Sequence, residues 1–212
     1  MKINNERKNA NAGRKRILIT AAVSAALLLA AAAVLYFILS AAAKKELSPE
    51  YEFCEPDWDI TADDIASEPD YAELGWYITY QNELGESVTI LDDDYLKYGI
   101  GVELMSYYFA AIQAGDEDTY NSLFGGDYYA EHEKHGPFTP QRIYDIKLKL
   151  TGSQSNGDGT AVYTYEIGYK IMRNDGTFTT LIGSDMSRPH FVTVVAAPDD
   201  VYIEKIETQG RG

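Results

Sequence analysis

The chain has 212 residues, a formal net charge of −15 and a sequence pI of about 4.5. This acidic balance argues against nucleic-acid binding and against docking on anionic lipid, because both need a basic surface. With Cys54 as its one cysteine, the chain cannot form an intramolecular disulfide, which excludes the disulfide-stapled class of secreted domains.

An uncharged, apolar run of 27 residues lies near the N-terminus, at residues 17–43. A membrane-spanning helix needs about 20 apolar residues to cross a hydrocarbon core of roughly 30 Å, and it satisfies its own backbone hydrogen bonds in lipid. Residues 1–16 hold six basic residues and one acid, whereas the chain beyond Lys44 and Lys45 is strongly acidic. Because positive segments stay on the cytoplasmic side, we expect a cytoplasmic tail at residues 1–16 and an extracellular C-terminal domain.

The alternatives to a retained anchor are a cleaved signal peptide and a lipoprotein. Ala41 and Ala43 form an A-x-A cleavage pattern, but the apolar core of a signal peptide spans only about 7–15 residues. Cys54 lies 11 residues beyond the apolar run and does not follow the small residues of a lipobox. We therefore expect an uncleaved signal anchor in the cell membrane, and the absence of disulfides favours a bacterial cell surface.

Residues 44–70 are typical of an acidic stalk. They contain three prolines, many acids and little hydrophobic periodicity, which predicts an extended or irregular chain. Residues 71–212 hold the periodic segments and are predicted to be the extracellular domain. Residues 46–212 hold ten Lys and Arg against 32 Asp and Glu, so the outer part has a net charge near −22. Such a charge is typical of a soluble domain held off an anionic membrane or wall.

The first half of the domain is predicted to contain a hairpin followed by two helices. Two β-rich runs, residues 75–80 and 87–91, are joined by a turn, and three aspartates at 92–94 then predict N-caps for a helical region. Apolar residues recur at spacings of three and four over residues 95–114, which predicts one amphipathic helix. These residues are Leu96, Ile100, Leu104, Met105, Tyr108, Phe109 and Ile112. Gly115 predicts the end of this helix, and Asp116 predicts the cap of a short second helix that ends near Phe124.

From Ile143 the hydrophobic period changes to two. Alternation continues through Leu150 and again over residues 161–171, with a turn predicted at Asn156-Gly157. Further strands are predicted at residues 177–182, 190–197 and 201–207. Helices followed by such a meander predict an α+β fold, with the long helix packed on one face of a bent antiparallel sheet.

Two stretches of the chain resemble a known superfamily. The residues AAIQAGD at 110–116 and YNSLF at 120–124 are similar to the helix-Gly-Asp-helix entry of the NTF2-like (cystatin-like cone) superfamily. The resemblance covers roughly residues 92–207 and implies an extracellular NTF2-like domain. Members of that superfamily serve as isomerases, dehydratases, transport adaptors and scaffolds, so the fold alone does not imply one activity.

The residues at 138–146 and 182–189 also resemble uncharacterised single-pass membrane proteins of Gram-positive bacteria. A short basic tail, one membrane helix and an outer NTF2-like domain are similar in layout to scaffold subunits of conjugative secretion systems. The resemblance implies that the partner is an envelope or secretion-complex protein.

The sequence contains one cluster with the residue types of a metal site, at residues 131–135. His132 and His135 would share a helix face, but no third ligand is defined and the HExxH pattern is absent. The aspartates at 92–94, and Asp57 with Asp59, lack the spacing of a calcium loop. We therefore interpret these residues as surface or capping groups and predict no metal and no cofactor.

An NTF2-like enzyme would need a carboxylate or histidine inside the cone with a raised pKa, acting as a general base. Asp145 and Glu166 lie in predicted strands, but their parity places both side chains away from the inner face. We therefore predict no catalytic residue and expect that the protein is not an enzyme.

Four residues are predicted to contact a partner or ligand. Asp185 and Arg188 fit either an ion pair with each other across a loop or the recognition of a carboxylate, although Gly-Ser-Asp and Arg-Pro also mark a simple strand connection. Tyr163 and Tyr165 fit either a binding groove or half-buried strand positions.

The sequence supports two hypotheses about function. The first is a membrane-anchored extracellular binding or scaffold module, and the second is an NTF2-like enzyme or small-ligand carrier. The inner wall of the cone distinguishes them, since a carrier needs a roomy pocket with a few polar groups. Phe109, Tyr163, Tyr165 and Tyr169 are large enough to fill that space, so we expect binding through the outer sheet face or its edge.

Overall fold

The computed structural model describes residues 51–125 and 127–208. The predicted cytoplasmic tail and membrane span, at residues 1–43, lie outside this part of the chain. None of the described helices is both long enough and apolar enough to cross a membrane.

Short helices precede and follow one long helix, and the strands lie on both sides of it in sequence. The helices are α1 (Ala62–Ala66), α2 (Pro69–Ala72), α3 (Ile100–Ala114), α4 (Glu117–Ser122) and α5 (Tyr128–Glu131), with a 3-10 helix at Tyr95–Tyr98. The strands are β1 (Ile78–Gln81), β2 (Ser87–Thr89), β3 (Arg142–Ser155), β4 (Ala161–Met172), β5 (His190–Ala197) and β6 (Asp200–Thr208).

The six strands form one sheet in the order β2-β1-β3-β4-β5-β6. The α+β class predicted from the sequence is confirmed, but the expectation of a purely antiparallel sheet is wrong. Strands β1 and β3 are parallel, with Ile78 opposite Ile146, whereas every other neighbouring pair is antiparallel. The chain between β2 and β3 includes the helical region, which provides the crossover that a parallel neighbour requires.

Strand β3 is interrupted by a β-bulge. Asp145 and Ile146 together lie opposite Tyr169, because Tyr144 pairs with Lys170 and Lys147 pairs with Gly168. Asp145 has a φ of 52°, in the left-handed region. A bulge of this kind bends the strand and increases its twist. It also shifts the side-chain parity, so that Ile143 and Ile146 are both buried although they are three residues apart.

Helix α3 packs on one face of the sheet, which we call the inner face. The buried core includes Val102, Met105, Phe109 and Ile112 from the helix. The strands contribute Ile78, Ile146, Leu148, Tyr165, Ile167, Tyr169, Val192, Val194 and Ile203 to the same cluster. The predicted alternation of β4 is confirmed, because its odd-numbered residues from Tyr165 to Ile171 are buried.

The start of the long helix differs from the sequence prediction. Gly99, with a φ of 119°, separates the 3-10 helix from α3, and Leu96 is 55% exposed rather than part of the apolar face. The aspartates at 92–94 do not cap α3, because Gly99 occupies its N-cap position. At the other end the prediction is confirmed: Gly115 is left-handed, and the Asp116 side chain accepts a hydrogen bond from the Thr119 N–H at 2.9 Å.

Two short helices lie in the segment predicted to be an irregular stalk, so that prediction is wrong for residues 62–66 and 69–70. Ile65 is buried, and the Arg142 guanidinium donates two hydrogen bonds to the Glu68 carboxylate, at 2.8 and 2.5 Å. The Tyr71 hydroxyl donates to the backbone oxygen of Ile143 at 2.7 Å. The sequence does not predict these helices because the segment has few apolar residues of its own, and its order depends on contacts with distant residues.

The predicted strand at residues 177–182 is also wrong. The chain between β4 and β5 consists of turns and bends. Asn174 is fully buried and donates hydrogen bonds to the backbone oxygens of Thr179 and Ile182, at 3.1 and 2.8 Å. Side chains of this kind offer the backbone an alternative to strand pairing, which explains why a β-rich sequence does not form a strand here.

The contact between Glu68 and Arg142 gives a prediction for stability. Hydrogen bonds from Arg142 lower the pKa of Glu68 below its ordinary value of 4.5. The stabilisation is therefore complete above about pH 4.5 and is lost as the pH falls through the lower pKa of the folded state. We expect Glu68→Gln to lower the free energy of unfolding by about 1–3 kcal/mol near neutral pH.

The difference in the free energy of unfolding between Glu68→Gln and the unsubstituted protein should shrink below about pH 4. Denaturant melts across a pH series measure it. Asp70→Asn is the matched control, because this carboxylate is 75% exposed and contacts only Arg173, at 3.4 Å. An equal loss of stability in both variants would contradict the prediction.

Candidate functional site

The inner face of the sheet is closed by aromatic side chains. The rings of Tyr108 and Tyr120 pack against each other, with centroids 5.5 Å apart. Burial raises the pKa of Tyr169 to about 12 and raises that of Tyr108 further. Phe109 packs edge-on against Tyr169, with ring centroids 6.0 Å apart. These buried side chains are aromatic and neutral, and none of them is a carboxylate.

The two histidines of the cluster at residues 131–135 have separate contacts. His132 stacks on Tyr128, with ring centroids 4.4 Å apart. The ring of His135 is within hydrogen-bonding distance of the backbone oxygens of Gly136 and Phe178, at 2.7 and 2.8 Å. Within residues 51–125 and 127–208, no group of three or more His, Cys, Asp or Glu side chains is arranged to hold a metal ion.

An open groove of about 470 Å³ lies on the opposite, outer face of the sheet. Its walls are the outward-facing residues of β1, β3 and β4 together with the chain that precedes β5. We call it the outer-face groove, and its lining includes Thr79, Gln81, Ser87, Lys147, Lys149, Glu166, Gly168, Ser187 and Pro189. Gly168 leaves the floor of the groove free of a side chain. A Cβ at this position would lie 3.4 Å from the Ser187 hydroxyl oxygen, so a larger residue would fill part of the groove.

Three lysines form a basic strip along this face. Lys147 and Lys170 lie 3.1 and 3.2 Å from the two carboxylate oxygens of Asp145, and Lys149 lies 3.4 Å from Glu166. The described residues include nine Lys or Arg against 30 Asp or Glu. The strip therefore holds a third of the basic side chains of a strongly acidic domain, and its two carboxylates leave it with a local net charge of +1.

The bulge in β3 positions Asp145 within this strip. Burial raises the pKa of Asp145, but hydrogen bonds from Lys147 and Lys170 outweigh that effect, so the pKa lies below its ordinary value. Asp145 is therefore an anionic bridge between two lysines. Asp145 and Glu166 both lie on the outer face, where the sequence parity predicted them.

Asp185 and Arg188, two of the four predicted contact residues, belong to the segment that supplies Ser187 and Pro189 to the outer-face groove, but neither of them lines it. Asp185 is exposed, has a φ of 60°, and accepts a hydrogen bond from the Tyr144 hydroxyl at 2.8 Å. Burial is the main cause, and the neighbouring Asp185 carboxylate the second, of a rise in the pKa of Tyr144 to about 12. Arg188 lies between Ser187 and Pro189, which both line the groove.

The other two predicted contact residues lie on the inner face. Tyr165 is only 2% exposed, and a Cβ added to Gly101 would lie 2.5 Å from its hydroxyl oxygen. It therefore packs against the start of α3 and offers no surface to a partner. Tyr163 is half-buried and stacks near Tyr165, with ring centroids 6.4 Å apart. We leave both residues out of the candidate site.

Sequence reasoning missed the basic strip. Lys147 and Lys149 occupy polar positions of the alternating strand that is predicted from Ile143 through Leu150. The available signal was their chemistry, because outward-facing lysines at i and i+2 are conspicuous in a domain with so few basic residues. Their proximity to Lys170 depends on strand register, which no local pattern shows.

A second surface lies between β1 and α3. It is an open trough of about 390 Å³, and we call it the aromatic–acidic trough. Its exposed or half-buried polar and aromatic residues are Trp76, Asp93, Tyr95, Glu103, Tyr107 and Gln113. Its floor is formed by Ile78, Phe109 and Ile146.

Comparison with known proteins gave no match: no family model, no curated protein and no solved structure is similar to this chain.

The charge pairing in the basic strip gives a prediction. Lys170→Ala should raise the pKa of Asp145 toward the ordinary value of 3.8, because it removes one of the two lysines that stabilise the carboxylate. An NMR titration of the aspartate side-chain carboxyl carbons measures this shift. Lys149→Ala is the control and should leave Asp145 unchanged, since Lys149 pairs with Glu166. An unchanged Asp145 pKa in Lys170→Ala would contradict the assigned pairing.

Proposed function

We propose that the protein is a single-pass, membrane-anchored binding or scaffold module of the bacterial envelope, with its acidic domain outside the cell. The observation that carries the proposal is the difference between the two faces of the sheet. The inner face is covered by helix α3 and by packed tyrosines, apart from the open aromatic–acidic trough between β1 and α3, whereas the outer face holds an open polar groove beside a basic strip. A protein that binds a macromolecule needs such an accessible face more than it needs an internal cavity.

The sequence supports the membrane anchor and its orientation. The apolar run at residues 17–43 is long enough to span, and the basic residues before it favour a cytoplasmic N-terminus. The NTF2-like architecture belongs to the same proposal. Its support is the helix-Gly-Asp-helix stretch at 110–124 together with one long helix packed on a bent sheet.

A small-ligand carrier or enzyme of the NTF2-like kind ranks second. Such a protein binds its ligand between the helix and the sheet, in a pocket with a few placed polar groups. Here Phe109, Tyr165 and Tyr169 pack in that space, each no more than 4% exposed, and the aromatic–acidic trough beside them is open to solvent rather than enclosed. A rise in melting temperature with steroid-like or polyketide-like compounds would favour the carrier over the binding module.

The proposed topology is tested by protease treatment of intact cells. We expect the acidic domain to be removed from the outside, and residues 1–16 to remain protected by the membrane. The N-terminus of the mature protein is read by mass spectrometry and should precede the apolar run. A mature chain that begins at Lys44 would show a cleaved signal peptide and would exclude the anchor.

The proposed binding face is tested by site-specific photo-crosslinking in intact cells. Thr79 faces the outer-face groove, so a crosslinking residue placed there should give a discrete adduct with an envelope protein. The double charge reversal Lys147→Glu with Lys149→Glu should reduce that adduct by at least fivefold, because it makes the strip acidic like the rest of the domain.

The control places the crosslinking residue at position 204, where Glu204 is exposed on β6 and outside the groove. It should give no such adduct. Equal adducts from both positions, or an adduct that the charge reversal does not change, would exclude the outer-face groove as the binding face.

A further inference from the structure

The aromatic–acidic trough has features that the outer-face groove lacks, and it lies on a different surface. We propose that it binds a lysine- or arginine-bearing segment of a partner protein. This inference adds a second binding surface to the proposed function and identifies the chemistry of its ligand.

The first observation is the exposure of large rings around the trough. Trp76 is 40% exposed and Tyr107 is 51% exposed. Trp76 is also held in place, because it stacks on Tyr77 with ring centroids 5.4 Å apart and an interplanar angle of 18°. Rings of this kind supply a large contact area and lose little conformational entropy when a partner binds.

The second observation is the charge of the trough. Asp93 and Glu103 face it, and none of the described residues that line it is basic. Each carboxylate lies beside a ring hydroxyl: Tyr95 approaches Asp93, and Tyr107 approaches Glu103, both at 3.4 Å. The aromatic surface and the negative charge are therefore interleaved along one wall of the trough.

These two observations together identify a cationic side chain as the ligand. Ammonium and guanidinium groups are attracted to the faces of Trp and Tyr, and the apolar stems of Lys and Arg pack along rings while their heads reach carboxylates. An anionic ligand would be repelled by Asp93 and Glu103. The described residues hold 30 acidic side chains and nine basic ones. This negative charge extends the electrostatic attraction of a basic partner beyond the trough and would accelerate its encounter with the domain.

The partner presents this side chain on a polypeptide segment, because the trough is open to solvent and its carboxylates and rings fit Lys and Arg side chains. Its volume of about 390 Å³ accommodates a few side chains rather than a folded domain. The Gln113 side chain, which also lines the trough, donates a hydrogen bond to the Tyr71 hydroxyl at 3.2 Å.

The test uses the full chain in a non-ionic detergent and a synthetic peptide of alternating arginine and alanine, with titration calorimetry as the readout. We expect saturable binding that weakens at least tenfold when the ionic strength is raised from about 0.05 to about 0.5 M. A peptide of alternating glutamate and alanine should not bind.

Matched pairs of variants separate the trough from general attraction to an acidic domain. Trp76→Ala and Glu103→Gln should each weaken binding about tenfold. Trp58→Ala and Glu204→Gln should change it less than twofold, because Trp58 and Glu204 are exposed but lie outside the trough. Charge reversal of Lys147 and Lys149 should not weaken binding of the arginine peptide. A failure of the trough proposal is therefore distinct from a failure of the proposal for the outer-face groove.

A second measurement leaves the trough intact. The chain has two tryptophans, so Trp58→Phe leaves Trp76 as the sole indole emitter, and the arginine peptide should produce a saturable change in its emission. Absence of binding, equal weakening by all four substitutions, or an unchanged Trp76 emission at saturating peptide would overturn the proposal. Binding of a neutral oligosaccharide that Trp76→Ala weakens and Glu103→Gln does not would also overturn it, in favour of a sugar site.

Discussion

At Asp145 strand β3 carries one more residue than its neighbour β4, and both faces of the sheet depend on that extra residue. The bulge turns Ile143 and Ile146 toward the same side, where both are buried beneath the helix layer. It also directs Asp145 outward between Lys147 and Lys170. The extra residue thus links the burial of Ile143 and Ile146 on one surface to the position of Asp145 between two lysines on the other.

The two faces of the sheet differ in chemistry because one is covered and the other is open. On the inner face, Tyr108, Tyr120 and Tyr169 pack among aromatic rings, and burial raises the pKa of each hydroxyl so that all three stay neutral. On the outer face, polar side chains of β1, β3 and β4 remain in water and stay free to contact another molecule. A domain arranged in this way has its binding capacity on its surface, which is why we favour a binding module over a carrier.

The surface itself is divided by charge. The basic strip is a small positive area on a very acidic domain, and the aromatic–acidic trough concentrates negative charge beside exposed rings. Surfaces of opposite character on one module can bind different partners, or different parts of one partner, without competing. That arrangement suits a scaffold that brings envelope components together.

The sequence by itself determined the features that depend on neighbouring residues. These include the end of α3 at Gly115, the cap at Asp116, the alternation of β4 and the α+β class. Local patterns decide them because turn chemistry, capping and hydrophobic period act over a few residues.

Only the tertiary structure decided the rest, because it depends on which distant segments meet. The parallel pairing of β1 with β3, the contact of Glu68 with Arg142 and the approach of Lys170 to Lys147 all join residues far apart in the chain. No local pattern around Asp145 predicts the bulge. The β-rich stretch at 177–182 does not form a strand, because buried Asn174 hydrogen-bonds to its backbone. Strand register and side-chain competition for the backbone are set when the sheet assembles, so the sequence determined which elements form and the assembled fold determined which of their residues share a site.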